Sequence, residues 1–306
     1  MPDRGDPDKM REILAPIWSA DGDGPQLAEN RAPAEDISPW VATMVSIRAP
    51  ADPGEMVSDG LCNDLTYVRF VFNGLWTAEY PEGKETYQNE ALVFGQHSKF
   101  MPLTCEGDIM SAGIGLRAGA WHEMTKRSSA EITDRIVRDD LFGLMDEEFR
   151  SELNADTTPV RWNLALEEAV RRFVARVQPD PPDPISTAFQ RASFEDPMQS
   201  LHDFAESQNI SLRKLERVVK RDFGVTPRAV MRRARAMDVA ALLCGVSDQH
   251  EEDELMLRYF DQSHLIRDFT AYFGVTPRRF RDRPRPLLKV TLEQRQARRM
   301  QELGEG

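Results

Sequence analysis

Charged side chains recur at helical spacing in the C-terminal third of the chain, where they could hydrogen-bond to phosphates and to the edges of bases. In the segment "SLRKLERVVKRDFGVTPR", Leu215, Val218 and Val219 predict one buried face of a helix, and Ser211 stands at its N-cap position. The charged side chains of this helix would lie on the exposed face: Arg213, Lys214, Glu216, Arg217 and Lys220. Arginine can pair with guanine, glutamate can accept from the cytosine amino group, and lysine suits phosphate. The segment therefore predicts a helix that contacts a nucleic acid.

The six residues "FGVTPR" occur twice, at 223–228 and at 273–278. Glycine can end a helix in the left-handed conformation, and threonine followed by proline suits the start of the next helix. Before the first copy, the small residue Ala205 lies four positions ahead of Asn209, which is the spacing of a helix-turn-helix motif. Before the second copy, a helix capped by Asp261 would expose a corresponding set: Gln262, Ser263, His264 and Arg267.

Residues 226–244 predict a helix that links the two repeated units. The C-terminal domain is therefore predicted to be all-helical, with two helix-turn-helix units joined by this linking helix. Its basic residues could belong to an ordinary solvated surface, but the repeated turn favours an exposed, DNA-binding role for them: Arg232, Arg233 and Arg235.

The arrangement resembles the AraC/XylS family of bacterial transcription regulators. "SLRKLERVVKRDFGVTP" is similar to the family's first recognition helix and its exit turn, and "YFDQSHLIRDFTAYFGVTPRRFR" is similar to its most diagnostic signature. The resemblance covers about residues 200–281, with a weaker one upstream. It implies a cytoplasmic, nucleoid-associated regulator that binds double-stranded promoter DNA, with RNA polymerase as a partner if it is an activator. It also implies these recognition residues: Arg213, Glu216, Arg217, Gln262, Ser263, His264 and Arg267.

Phosphate contacts are expected from basic side chains and from the helix N-termini that follow each repeated segment: Lys220, Arg279, Thr226 and Thr276. The second unit departs from the family's pattern at Glu254 and Arg258, where the family usually has alanine and glycine. An unpaired buried carboxylate is costly, and a residue other than glycine at positive φ costs about 1–2 kcal/mol. We therefore expect the first unit to dominate the affinity for DNA.

Charge and proline content divide the chain into parts. Residues 1–199 contain 19 Lys and Arg against 35 Asp and Glu, whereas residues 200–290 contain 17 against 13, an asymmetry typical of a nucleic-acid-binding part joined to another domain. Runs such as "TYVRFVFNGLW" predict a small antiparallel β-sheet or barrel, to which helices are added. The predicted α+β multidomain chain comprises a flexible acidic arm 1–35, a sensor or dimerisation domain 36–178, a Pro-rich linker 179–185, an AraC-type DNA-binding domain 186–285 and a C-terminal tail helix 286–306.

Other classes of function find little support in the sequence. It contains no GxSxG, GxxxxGK[ST], GxGxxG or HExxH motif, so neither an enzyme nor a cofactor is expected. His97 and His122 lack the spacing of metal ligands, and no apolar run is long enough for a membrane span. One alternative stays open, a protein-interaction regulator with a degenerate second DNA-binding unit. The N-terminal domain is expected to act through a signal, such as a small-molecule effector, or through a homodimer.

Overall fold

The computed structural model describes residues 28–49, 54–152, 157–247 and 262–304. An N-terminal antiparallel sheet with helices is followed by a helical C-terminal region, which confirms the predicted fold class. The strands are β1 (Ala28–Arg31), β2 (Val41–Ala49), β3 (Met56–Leu61), β4 (Thr66–Tyr80), β5 (Gly83–Tyr87), β6 (Glu90–Phe94), β7 (Met101–Leu116) and β8 (Ile136–Arg138). The helices are α1 (Ala120–Thr125), α2 (Glu147–Glu152), α3 (Pro159–Val177), α4 (Pro184–Glu195), α5 (Leu201–Ser207), α6 (Leu212–Phe223), α7 (Pro227–Leu243), α8 (Gln262–Phe273), α9 (Pro277–Phe280) and α10 (Pro286–Leu303), and Ser129–Glu131 forms a 3-10 turn.

The strands of the sheet run in the order β1-β2-β7-β4-β6-β8, while β3 pairs with one end of β7 and β5 with one end of β4. The β-branched and aromatic run "TYVRFVFNGLW" lies in β4, one of the two long central strands. Alternation along β4 places Val68, Phe70 and Phe72 on one face and Tyr67 and Val71 on the other. The sheet therefore contributes to a hydrophobic core on each of its faces.

One face of the sheet packs against α1 and α3 of the N-terminal domain. Phe72 stacks on Trp162 of α3 with 4.8 Å between the ring centroids, and Phe142 meets Phe173 edge-on at 5.1 Å. Trp121 of α1 is buried in the same core. These large apolar side chains, which could also have lined a ligand pocket, serve here as ordinary core residues.

The other face of the sheet receives α10 of the C-terminal region. Leu287 and Val290 of α10 belong to the same buried cluster as Trp76 of β4. The sheet also caps α10, because Asp59 Oδ2 accepts from the backbone N–H of Leu287 at 2.9 Å and of Leu288 at 3.0 Å. The predicted tail helix is thus an integral part of the fold, attached to the N-terminal domain.

Two of the predicted divisions differ from the structure. Residues 28–31, expected in a flexible arm, form β1 because their backbone pairs with β2 at the edge of the sheet, and residues 1–27 lie outside the described part. The expected linker 179–185 ends early, since α4 begins at Pro184, where Asp183 caps it by accepting from a backbone N–H at 3.0 Å. No helix in the described part of the chain is long and apolar enough to cross a membrane.

Candidate nucleic-acid interface

Helices α5 and α6 are joined by the tight turn that the sequence predicts. Asn209 has a left-handed φ of 51°, and the N–H of Ile210 donates to the carbonyl of Ala205 at 2.9 Å. Ser211 then caps α6 by accepting from the N–H of Lys214 at 3.2 Å. Ala205 is buried where the two helices meet, so its small side chain allows their close approach. The predicted helix, turn and helix are therefore all present.

The apolar face of α6 determines which side of the helix remains exposed. Leu215, Val219 and Phe223 are completely buried. Phe189 of α4 packs edge-on against both Phe204 of α5 and Phe223, at centroid distances of 5.0 and 5.7 Å. With this face fixed against α4 and α5, the charged residues of α6 must point away from the protein.

The exposed face of α6 carries the five charged residues predicted for it. With Ser211 they form one continuous exposed surface: Arg213, Lys214, Glu216, Arg217 and Lys220. Within the described part of the chain, none of the five side chains is engaged by a hydrogen bond or an ion pair. Four cations against one carboxylate give this surface a positive charge, although the whole chain carries a formal net charge of −12.

The two copies of the repeated segment adopt the same backbone conformation. Gly224 ends α6 with φ of 72°, and Gly274 ends α8 with φ of 71°. Thr226 and Thr276 each cap the following helix by accepting from the N–H three residues further on, at 3.3 and 3.4 Å. Both threonines and Arg279 are exposed. Because α9 is only one turn long, its dipole at Thr276 is weaker than that of α7 at Thr226.

The helix predicted to be the second recognition helix is α8, on whose buried face Leu265 and Phe269 lie. Its first turn holds three predicted contact residues, whose side chains lie outside the described part: Gln262, Ser263 and His264. Arg267, on the next turn, is exposed. Glu254 and Arg258, which led us to expect a weaker second unit, also lie outside the described residues, so that expectation stays a prediction.

The linking helix α7 corrects part of the sequence interpretation, because two of its three arginines do not lie on an exposed DNA-binding face. Arg233 is only 3% exposed and donates to the carbonyls of His97 at 3.1 Å and Asp64 at 3.2 Å. Arg235 pairs with Asp268 of α8 at 2.6 Å. Since α7 packs against the loops that follow β3 and β6 and against α8, tertiary packing decides the role of these arginines, and helical periodicity alone could not reveal it.

A buried ionic cluster, which the sequence analysis missed, attaches the C-terminal region to the sheet. Asp64 follows β3 and binds Arg298 of α10 with 2.6 Å between Oδ1 and Nη2, while Arg295 Nη1 binds Asp238 Oδ1 of α7 at 2.6 Å. Burial alone would raise the pKa of Asp64, but the charges of Arg298, Arg295 and Arg233 outweigh it and lower that pKa. Asp64 is therefore ionised and holds several cations at the domain interface.

The histidines and cysteines that the structure describes do not assemble into a site for chemistry. His97 is buried, and His122 Nδ1 lies 3.1 Å from the carbonyl of Arg127. Cys62, Cys105 and Cys244 are buried thiols, and burial raises the pKa of each, which disfavours the reactive thiolate. In the described residues there is no group of three or more side chains suited to hold a metal ion.

Comparison with known proteins agrees with this geometry. Residues 204–283 match the family model for a helix-turn-helix domain, so the C-terminal region is of the DNA-binding helix-turn-helix class. The matched domain is of the AraC type, which confirms for residues 204–283 the family resemblance that the sequence indicated. No curated protein matches the chain in sequence.

Several solved structures align with most of the chain at low sequence identity. ToxT from Vibrio cholerae O395 has 7% identity and a TM-score of 0.44, with 83% of this chain and 96% of that chain covered. Unsaturated fatty acid bound wild-type ToxT from Vibrio cholerae strain SCE256 has 6% identity and a TM-score of 0.43, with 78% and 94% covered. The AraC-like transcriptional activator CuxR has 14% identity and a TM-score of 0.28, with 75% and 91% covered.

Proposed function

We propose that this regulator binds promoter DNA in a sequence-specific way, with α6 and α8 each entering the major groove. The observation that supports the proposal most is the exposed face of α6, where four cationic side chains remain unpaired within the described part of the chain. An exposed, unpaired set of long cationic side chains on the second helix of a helix-turn-helix unit suits both phosphates and base edges.

The contacts of α6 follow from the chemistry of its side chains. Arg213 and Arg217 would donate to guanine O6 and N7, and Glu216 would accept from a cytosine amino group. Lys214 and Lys220 would neutralise phosphates, which sets the orientation of the helix on the duplex. In the second unit we assign base contacts to the residues at the start of α8: Gln262, Ser263, His264 and Arg267.

The phosphate backbone would also be bound by helix N-termini. Thr226 caps α7, whose 17 residues give a full helix dipole behind the N–H groups that would face a phosphate. Around the second unit, Thr276 and Arg279 would play this part, with the Arg279 guanidinium as the main contributor because α9 is short. These assignments predict that phosphate contacts flank the recognition helices on both units.

The N-terminal domain would control this activity, either by responding to a small-molecule effector or by homodimerisation. A cytoplasmic, nucleoid-associated location and, for an activator, contact with RNA polymerase belong to the same proposal. Because the first 199 residues are strongly acidic, with 35 Asp and Glu against 19 Lys and Arg, that domain would be repelled by DNA. Only the basic face of the C-terminal region would then approach the duplex.

The alternative function is a protein-interaction regulator in which the second unit has lost its role in DNA binding. The dependence of binding on salt separates the two proposals. Binding to phosphates releases counterions and weakens steeply as salt rises, whereas an apolar protein interface does not.

The test begins with selection of the preferred site from a random duplex library by the full chain. The selected duplex is then titrated at two salt concentrations with the wild type, Arg217→Ala and Arg172→Ala, the last being an exposed arginine of α3 on the acidic domain. Arg217→Ala is expected to weaken binding by about 1–3 kcal/mol and to relax specificity at one position, and Arg172→Ala to leave the affinity unchanged. Failure of the wild type to select any sequence, even at low salt, would refute the proposal.

A further inference from the structure

The loop of residues 95–100, which joins β6 to β7, is firmly held on the N-terminal domain. The N–H of Ser98 donates to the carboxylate of Asp134 at 2.7 Å, and the N–H of Asp134 donates to the carbonyl of Gln96 at 3.0 Å. Gly95 packs so closely that a Cβ there would lie 1.8 Å from the carbonyl oxygen of Ile132. The loop is therefore a fixed projection of the sheet.

This single loop contacts both recognition helices at the same position of the repeat. Gln96 Nε2 donates to the carbonyl of Asp222 at 3.0 Å, and the N–H of Phe100 donates to the carbonyl of Tyr272 at 2.9 Å. Asp222 and Tyr272 each precede the phenylalanine of an "FGVTPR" segment, so they are equivalent residues. Carbonyls in the last turn of a helix lack partners within the helix. The loop supplies a donor to each, and the hydroxyl of Ser129 supplies a second donor to the carbonyl of Asp222 at 3.0 Å.

The same loop also holds the linking helix that lies between the two units. Arg233 Nη1 donates to the carbonyl of His97, and Arg233 Nη2 donates to Gln96 Oε1, both at 3.1 Å. Gln96 and Arg233 are 2% and 3% exposed, so water does not compete for these bonds. The ring of Phe100 adds a contact with Phe273 of α8 at 5.7 Å between centroids.

We infer that the loop 95–100 fixes the separation and rotation of the two recognition helices, and that Gln96 and Phe100 are positioning residues that set the spacing of the half-sites. This inference rests on the proposed function. One turn of B-DNA takes about 10–10.5 base pairs, so each added base pair both moves and rotates the second half-site. Two recognition helices that share a rigid support tolerate only one such arrangement, whereas helices released from it adapt to several.

The experiment measures binding of the full chain to the selected site and to duplexes in which the spacer between the half-sites is longer or shorter by one or two base pairs. A duplex with the first half-site alone is included. Gln96→Leu removes the amide donor and acceptor with little change in volume, and Phe100→Ala removes the ring that packs on α8. Gln88→Leu makes the same substitution as the first variant at an exposed position of the N-terminal domain and serves as the control.

The wild type and Gln88→Leu are expected to lose at least about tenfold in affinity when the spacer changes by two base pairs, because contacts of the second unit are lost. In Gln96→Leu the loss of affinity caused by the changed spacer becomes about fivefold smaller. This factor is the equilibrium worth of one typical hydrogen bond, here the one that Gln96 donates to α6. Affinity for the single half-site stays the same. Phe100→Ala should likewise make the protein more tolerant of altered spacers. If thermal unfolding shows that Gln96→Leu is not folded, the result with Phe100→Ala tests the inference in its place.

Two results would overturn the inference while leaving the proposed function intact. One is an unchanged spacing preference in the folded variants. The other is an equal gain in affinity at every spacing, which would mean that the loop restrains DNA binding without setting its geometry. If the wild type selects no DNA sequence, the proposed function fails, and the inference fails with it.

Discussion

The two copies of "FGVTPR" offer a matched pair of substitutions, Gly224→Ala and Gly274→Ala. Both glycines have φ near 70°, so each alanine costs about 1–2 kcal/mol for a left-handed conformation. A Cβ at Gly224 would also lie 1.9 Å from Thr133 Oγ1 and 3.0 Å from the carbonyl oxygen of Ser129. No described atom lies within 4 Å of a Cβ built at Gly274. The difference arises because Gly224 itself packs against the N-terminal domain, whereas Phe100 of that domain contacts Tyr272 and Phe273 and leaves Gly274 open.

The additional cost at Gly224 can be estimated from what must move. Thr133 Oγ1 donates to the carbonyl of Ser129 at 2.9 Å, and rotating it away would lose about 1 kcal/mol. The backbone of Ser129 would still have to shift by a few tenths of an ångström. We therefore expect Gly224→Ala to lower the free energy of unfolding by roughly 2–4 kcal/mol, and Gly274→Ala by about 1–2 kcal/mol.

Urea unfolding of the full chain, followed by circular dichroism, measures both values under the same conditions. Thr133→Ala supplies the control, since in that background the cost of Gly224→Ala should fall towards that of Gly274→Ala. Equal costs for the two alanines in the wild-type background would refute the reasoning, because the contact between the first exit turn and the sheet domain would then be absent.

Three further changes test the interface between the domains. Asp64→Asn should destabilise the chain by about 3–5 kcal/mol in urea unfolding, because it leaves Arg298 buried without its counter-charge, whereas Asp36→Asn at an exposed ion pair should change little. Leu287→Ala should cost about 2–5 kcal/mol and lower the unfolding midpoint of the sheet domain itself, reported by tryptophan fluorescence; an unchanged midpoint would separate α10 from that core. Burial lowers the pKa of His97 to about 4, so the folded state favours the neutral ring. The stability gained by keeping the ring neutral is fully present above pH 6.5, the ordinary pKa of histidine. It is lost as the pH falls towards 4, because the unfolded chain binds the proton first. Urea midpoints at several pH values should therefore fall less steeply for His97→Asn than for the wild type, and parallel curves would contradict the assignment.

Local features of the DNA-binding units could be predicted from the sequence because their causes are local. Asn209, Ser211 and Thr226 act within a few residues of themselves, as a turn and two caps, and their roles follow from backbone geometry. The exposed face of α6 also follows from its own period, because Leu215 and Val219 define the buried side.

The attachment of the two domains could not be predicted in this way. Arg217 and Arg233 both occupy helical positions in basic segments, yet Arg217 is exposed and Arg233 is buried against loops of the N-terminal domain. The difference depends on the loop 95–100, far away in sequence. Likewise, nothing near Asp59 indicates that it caps a helix that begins more than two hundred residues later. Contacts at this separation require the folded chain to be known.

The packing of α10 on the sheet also constrains how the protein folds during translation. Domains usually fold as units while the ribosome extends the chain, with the N-terminal domain first. Here one face of the N-terminal sheet lacks Leu287 and Val290 until synthesis has passed the DNA-binding units. The nascent chain must therefore carry an incomplete apolar surface around Trp76 for most of its time on the ribosome. Such a surface is one that chaperones bind, so cellular yield should depend on chaperone supply more than the stability of the finished protein would suggest.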